Sequence, residues 1–143
     1  MASLVLSLFL FLIFIVIGGF HFYWLFGGIW GLKKVIPTKN DKLNSLKIPI
    51  YATLMVGIVL LLFGVLYFIK SGLTSIELPN GITNFSYWFI PVIFILRAIG
   101  EFNYVGFFKK INNTEFSKAD SKIFSPLCLI IGITGIIIQL INN

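Results

Sequence analysis

The feature that most constrains this chain is its first 32 residues, which carry no charge; the first charged side chain is that of Lys33. A helix that crosses a bilayer needs about 20 consecutive, mostly apolar residues. We therefore expect a first membrane-spanning helix at about Leu4–Phe26. A cleaved signal peptide is the competing interpretation, but it would begin with basic residues and contain a shorter apolar run. The opening MASLVLS has no basic residue.

Three more apolar segments are long enough to cross a bilayer. Of all residues in the chain, 58% are hydrophobic and 11% are charged, whereas soluble domains are about a quarter charged. This composition excludes a soluble enzyme and a disordered chain. We predict an all-α membrane protein, a four-transmembrane-helix bundle made of two helical hairpins in a single domain over residues 1–143. The three further spans are expected at about Ile48–Ile69, Tyr87–Phe108 and Ile123–Ile141.

The lysines predict the orientation of the bundle. The connection 33–47 holds five lysines and one aspartate, and the connection 109–122 holds four lysines, one glutamate and one aspartate. Cytoplasmic loops are enriched in Lys and Arg. We therefore expect these two connections in the cytoplasm, with the connection 70–86 and both termini outside the cell membrane. The net charge of +6 favours contact with anionic inner-leaflet lipids rather than nucleic acid, because no recognition motif accompanies it.

The third predicted span contains two charged residues, Arg97 and Glu101. A charge at the centre of a bilayer costs about 2.5–3.5 kcal/mol on insertion scales. Side chains four residues apart in a helix share one face, so the pair would partly offset its own cost. Two interpretations stand. The charges either form a binding or proton-handling site inside the bundle, or they neutralise one another and fix helix packing.

Other polar residues are expected at the same depth, in the inner half of the bundle. In the predicted topology His21 of the first span shares the depth of Glu101, and whether it faces Glu101 is left open. Asn103 and Tyr104 would complete a polar pocket with Arg97. Weaker candidates lie nearby: Trp24, Asp120, Ser125 and Cys128. A single histidine and a single cysteine exclude an internal disulfide and a histidine- or thiolate-rich metal site, and no motif indicates a cofactor.

Several strings of this chain resemble a bacterial family of small membrane proteins catalogued as domain of unknown function 3995. They are RAIGEFNYVGFFKK at Arg97–Lys110, TEF at Thr114–Phe116, Asp120, SPLCL at Ser125–Leu129, and HFYWLFGG at His21–Gly28 followed by Pro37. The resemblance implies a four-span bacterial membrane protein without an assigned biochemical role. It carries over no catalytic residue.

Three classes of function remain open. The first is a binding or transport protein that holds a small amphiphile, a lipid headgroup or an ion in the inner leaflet. The second is a structural, accessory or immunity-type subunit, whose intramembrane charges serve packing. The third is a membrane enzyme that uses His21 or Glu101 as an acid or a base on a lipid-like substrate, although no nucleophile or phosphate-loop motif is present. The oligomeric state is left open.

Overall fold

The computed structural model describes residues 1–37 and 49–142, and this part of the chain is helical and contains no strand. Ile48 and most of the lysine-rich connection 33–47 lie outside the described residues. Four helices are long and apolar enough to cross a membrane, which confirms the predicted all-α architecture. The helices are α1 (Ala2–Leu25), α2 (Leu32–Val35), α3 (Ile50–Lys70), α4 (Asn80–Ile99), α5 (Glu115–Ala119) and α6 (Ser125–Asn142), with a π-helical turn at Asp120–Phe124.

The long helices form two antiparallel pairs. Helix α1 packs against α3, and α4 packs against α6. The pairs meet along α1 and α6, where Asn142 Nδ2 donates a hydrogen bond to Ser3 Oγ at 2.8 Å. Helices α1 and α4 therefore finish at the end of the bundle where α3 and α6 begin. We call it the basic end, because all charged side chains of the described residues except Lys70 and Glu77 belong to it.

Glycines allow close contact within each pair, as is usual where helices pack in membranes. The backbone of Gly57 on α3 lies against the side chains of His21 and Phe22 on α1. On α6, Gly132 faces α4 so closely that a side chain there would collide with Ile95. The residues between the helices form an apolar core that includes Leu10, Phe14, Tyr67, Ile90 and Ile131.

The third long helix differs from the predicted span. Helix α4 is Asn80–Ile99, so the prediction of Tyr87–Phe108 was wrong at both ends. The helix ends because Gly100 adopts a φ of 85° and the chain turns back, with the Phe107 amide donating to the Ala98 carbonyl at 2.9 Å. A positive φ is accessible to glycine at little cost. Apolar residues continue through this turn, so the hydropathy of the sequence does not show where the helix ends.

Candidate functional site

The carboxylate of Asp120 is the centre of a buried polar cluster at the basic end. The residue is fully buried, and its two oxygens accept four hydrogen bonds. Oδ1 accepts from Arg97 Nη2 at 2.9 Å, and Oδ2 accepts from the Gly106 amide at 2.8 Å, Lys109 Nζ at 3.0 Å and Ser125 Oγ at 3.1 Å. One carboxylate thus joins α4, the segment after it and the start of α6.

Lys109 is an unusual lysine, because only 1% of its side chain is exposed. A buried ammonium is costly unless it is paired and hydrogen-bonded. Here Nζ uses all three of its protons: it donates to Asp120 Oδ2 at 3.0 Å, to the Gly106 carbonyl at 2.9 Å and to Ser121 Oγ at 2.6 Å. The ammonium is therefore fully satisfied within the protein.

Arg97 pairs with the same carboxylate but keeps spare donors. Its Nη2 contacts Asp120, whereas its Nη1 is buried and has no hydrogen-bond partner in the structure. The side chain as a whole is 34% exposed. With two cations and one carboxylate, the cluster carries a net positive charge. Arg97 is the ionic member of the cluster whose side chain is partly exposed, although its unused donor, Nη1, is itself buried.

Local structure explains how Asp120 reaches this position. Helix α5 starts with a capping box: Thr114 Oγ1 accepts from the Ser117 amide, and Ser117 Oγ accepts from the Thr114 amide, both at 3.1 Å. The π-helical turn that follows α5 begins at Asp120. A π-turn adds a residue to the helix and is frequent at functional sites. It connects α5 to α6 while the Asp120 side chain stays buried.

The predicted partner of Arg97 was wrong. Glu101 lies beyond the end of α4, so the two residues share no helical face, and Arg97 lies in the last turn of α4 rather than near its middle. Glu101 is exposed, and its Oε1 accepts from the Tyr104 amide at 3.0 Å. Asn103 is also exposed, and its carbonyl accepts from the Ile111 amide. These residues shape a turn, and no ion pair joins Arg97 to Glu101 in the described chain.

His21 and Trp24 form a separate aromatic group at the end of α1. His21 Nδ1 donates to the Ile17 carbonyl of its own helix at 2.8 Å, and the His21 and Trp24 rings meet edge-on at 5.6 Å. Trp24 Nε1 donates to the Trp30 carbonyl at 2.8 Å. Among the described residues no hydrogen bond links His21 to Glu101.

Of the weaker candidates, Asp120 and Ser125 belong to the buried cluster, and Cys128 is a buried free cysteine on α6. Three further residues of the cluster, Lys109, Gly106 and Ser121, were not predicted from the sequence. Lys109 is one of several lysines in a connection whose charge predicts topology, and nothing in its local sequence separates it from the exposed Lys110. The only available signal was the presence of Asp120 eleven residues later.

A second feature at the basic end is an open groove of about 510 Å³. Its wall is formed by α5 and the π-turn, with α2 contacting α5. The lining residues are mostly long charged side chains together with Ile123: Lys34, Glu115, Lys118, Ala119 and Lys122. The segment 118–122 thus turns two exposed lysines to the groove and the carboxylate of Asp120 to the interior.

Within the described residues no group of three His, Cys, Asp or Glu side chains is arranged to hold a metal ion. The comparisons with curated proteins and with solved structures find no match. A family model described as "Protein of unknown function (DUF3995)" matches residues 14–134. This range runs from the middle of α1 into α6 and includes the buried cluster and the groove. The chain therefore belongs to the DUF3995 family.

Proposed function

We propose that this membrane protein binds the anionic group of an amphiphile, such as the phosphate of a lipid headgroup, at the basic end of its bundle. Arg97 makes the direct contact, and the lysines of the groove add electrostatic attraction. In the proposed orientation the basic end faces the cytoplasm, where Lys and Arg are enriched and anionic lipids attract them.

The observation that carries the proposal is the state of the Arg97 guanidinium. Asp120 holds one terminal nitrogen, Nη2, at 2.9 Å, and the other, Nη1, is a buried donor without a partner. Buried polar groups are nearly always hydrogen-bonded, so each exception needs an explanation. A guanidinium suits two oxygens of one phosphate or carboxylate. An anionic oxygen at Nη1 would satisfy the donor and balance the positive charge of the cluster.

The groove supports the same ligand class. Lys34, Lys118 and Lys122 surround it with one acidic residue, Glu115, and Ile123 adds an apolar wall. A groove with cationic and apolar lining at the end of membrane-spanning helices matches a molecule that has a charged head and an apolar tail.

A packing function is the second candidate, and a specific observation favours it for two residues. Asp120 accepts four hydrogen bonds, and Lys109 donates its three protons within the protein. Neither has capacity left for a ligand. These two residues therefore tie the helices together, and binding is assigned to Arg97 and to the groove.

The test is native mass spectrometry of the protein extracted from vesicles of phosphatidylethanolamine and phosphatidylglycerol. The wild-type protein is expected to retain phosphatidylglycerol preferentially. Arg97→Lys preserves the charge and a donor for Asp120 but loses the guanidinium fork. Hydrogen bonds to charged groups are worth about 1.5–3 kcal/mol, so retention should fall about tenfold or more with little change in thermal stability.

The groove is tested with two matched charge removals. Lys118→Gln lies in the groove and should weaken retention of phosphatidylglycerol. Lys70→Gln lies at the opposite end of the bundle and should not. The proposal fails if the wild-type protein shows no preference for the anionic lipid, or if Arg97→Lys retains it as well as the wild type does.

A further inference from the structure

The segment between α4 and α5 exposes three phenylalanines. We call residues 100–113 the phenylalanine loop. The exposed fractions are 56% for Phe102, 46% for Phe107 and 66% for Phe108. The Phe102 and Phe108 rings lie side by side, with their centroids 6.4 Å apart. An apolar cluster of this kind on a surface indicates a contact with another apolar phase.

The phenylalanine loop is held firmly in shape. The backbones at Gly100 and Gly106 lie so close together that a side chain on either residue would collide with backbone atoms of the other segment. The Lys110 amide donates to the Phe102 carbonyl at 3.2 Å, and the Gly106 amide donates to Asp120. Phe102 has a φ of 65°, the one positive value among the non-glycine residues described. The exposure of the rings is therefore a consequence of a fixed backbone.

The position of the loop relative to a bilayer follows from the length of α4. Its 20 residues extend about 30 Å at 1.5 Å per residue, which equals the hydrocarbon thickness of a typical bilayer. A helix of this length can cross the hydrocarbon by itself, without the phenylalanine loop that follows it. With α4 across the hydrocarbon, the loop comes to the headgroup level, beside the exposed last turn that carries Leu96 and Ile99.

We infer that the phenylalanine loop is an interfacial anchor whose exposed rings enter the boundary between headgroups and acyl chains, while Lys110 points toward the aqueous side. Alternation of environment along the loop supports this orientation: Phe107 and Phe108 are exposed, Lys109 is buried against Asp120, and Lys110 is exposed. Exposed cations next to apolar rings match a membrane surface with anionic headgroups.

This inference does not depend on which molecule Arg97 binds. The Gly106 amide and Lys109 Nζ bind the loop to Oδ2 of Asp120, whereas the proposed ligand contacts Nη1 of Arg97. A protein without any bound amphiphile would still insert its phenylalanines. The two proposals can therefore fail separately.

The experiment uses single nitroxide labels on the full chain in vesicles that contain phosphatidylglycerol, with Cys128→Ala as the background. Labels are placed by Phe107→Cys and Phe108→Cys, with Lys110→Cys as the aqueous reference and Leu96→Cys as the hydrocarbon reference. For each label, the collision rate with oxygen, which concentrates in lipid, is compared with that of a water-soluble nickel chelate. Thermal unfolding verifies that each variant remains folded.

We expect the oxygen-to-nickel ratio at Phe107 and Phe108 to be higher than at Lys110 and lower than at Leu96. A ratio at Phe108 equal to that at Lys110 would place the loop in water and overturn the inference. Low collision rates with both reagents at Phe107 and Phe108 would show that protein covers the loop, and would overturn it as well.

Discussion

At the scale of single residues, the carboxylate of Asp120 compensates the charges of two cations, Arg97 and Lys109, in a mostly apolar protein. Breaking a buried ion pair by removing one partner leaves an uncompensated charge, which is usually more damaging than replacing the whole pair. Lys109 is the cation at risk, because its side chain is 1% exposed and has no access to water. Arg97 is protected by its partial exposure.

Asp120→Asn is therefore expected to destabilise the protein by about 3–5 kcal/mol, since it keeps the shape of the side chain but removes the charge that compensates Lys109. The measurement is thermal or denaturant unfolding in detergent. The matched control is Glu101→Gln, which removes a carboxylate that is exposed and should change stability by no more than about 0.5 kcal/mol. Equal effects of the two substitutions would contradict the central role of Asp120.

Residue chemistry indicated that Arg97 needs a carboxylate, but spacing selected the wrong one. Glu101 is four residues away, which is a contact distance only if the helix continues. Asp120 is 23 residues away in sequence and 2.9 Å away in space. A contact of this range depends on how α4 and α6 pack, and one sequence without its fold does not contain that information.

At the scale of elements, the end of α4 decides where the chemistry lies. The first, second and fourth spans were predictable, because each contains an uncharged run of about the length that a bilayer requires. The end of α4 was not, because the apolar residues of the phenylalanine loop extend the hydrophobic segment past Ile99. The helix stops where two glycine backbones cross, at Gly100 and Gly106, and a crossing of this kind has no signature in hydropathy.

Gly106→Ala should test this crossing. Gly106 has a φ of 92°, and an added methyl group would collide with the Ile99 carbonyl. The control is Gly72→Ala, at a φ of 79° with open space around it. Backbone strain alone should cost the Gly72 variant about 1–2 kcal/mol. The Gly106 variant must also separate two backbone segments, so its free energy of unfolding should fall further.

Thermal unfolding of both variants, side by side, measures the difference. A similar loss of stability in the two would mean that the loop opens at little cost, and that the close approach of Gly100 to Gly106 does not define the end of α4.

At the scale of the whole molecule, two antiparallel helix pairs place nearly all of the charge at one end. Helices α1, α3 and α6 contain no charged residue apart from Lys70 in the last turn of α3, and α4 contains only Arg97 in its last turn. The apolar outer faces of the four long helices suit lipid. Loop charges therefore set the proposed orientation, with the basic end in the cytoplasm.

Cysteine labelling of intact cells measures this orientation. In a Cys128→Ala background, a membrane-impermeant maleimide should label Glu77→Cys, which lies on the exposed connection at the opposite end. Lys110→Cys should react only after the membrane is permeabilised. Labelling of Lys110→Cys in intact cells, with protection of Glu77→Cys, would reverse the proposed orientation.

The π-helical turn at Asp120–Phe124 makes the chain unequally tolerant of changes in length. Each residue added to or removed from a helix rotates everything beyond it by about 100°. A deletion between Asp120 and Ser125 would swing the carboxylate away from the hydroxyl that binds it, and from Arg97 on the neighbouring helix. The connection 71–79 contains no such contact between helices. Insertions that the connection 71–79 tolerates should destabilise the fold when they are placed in the five residues before α6.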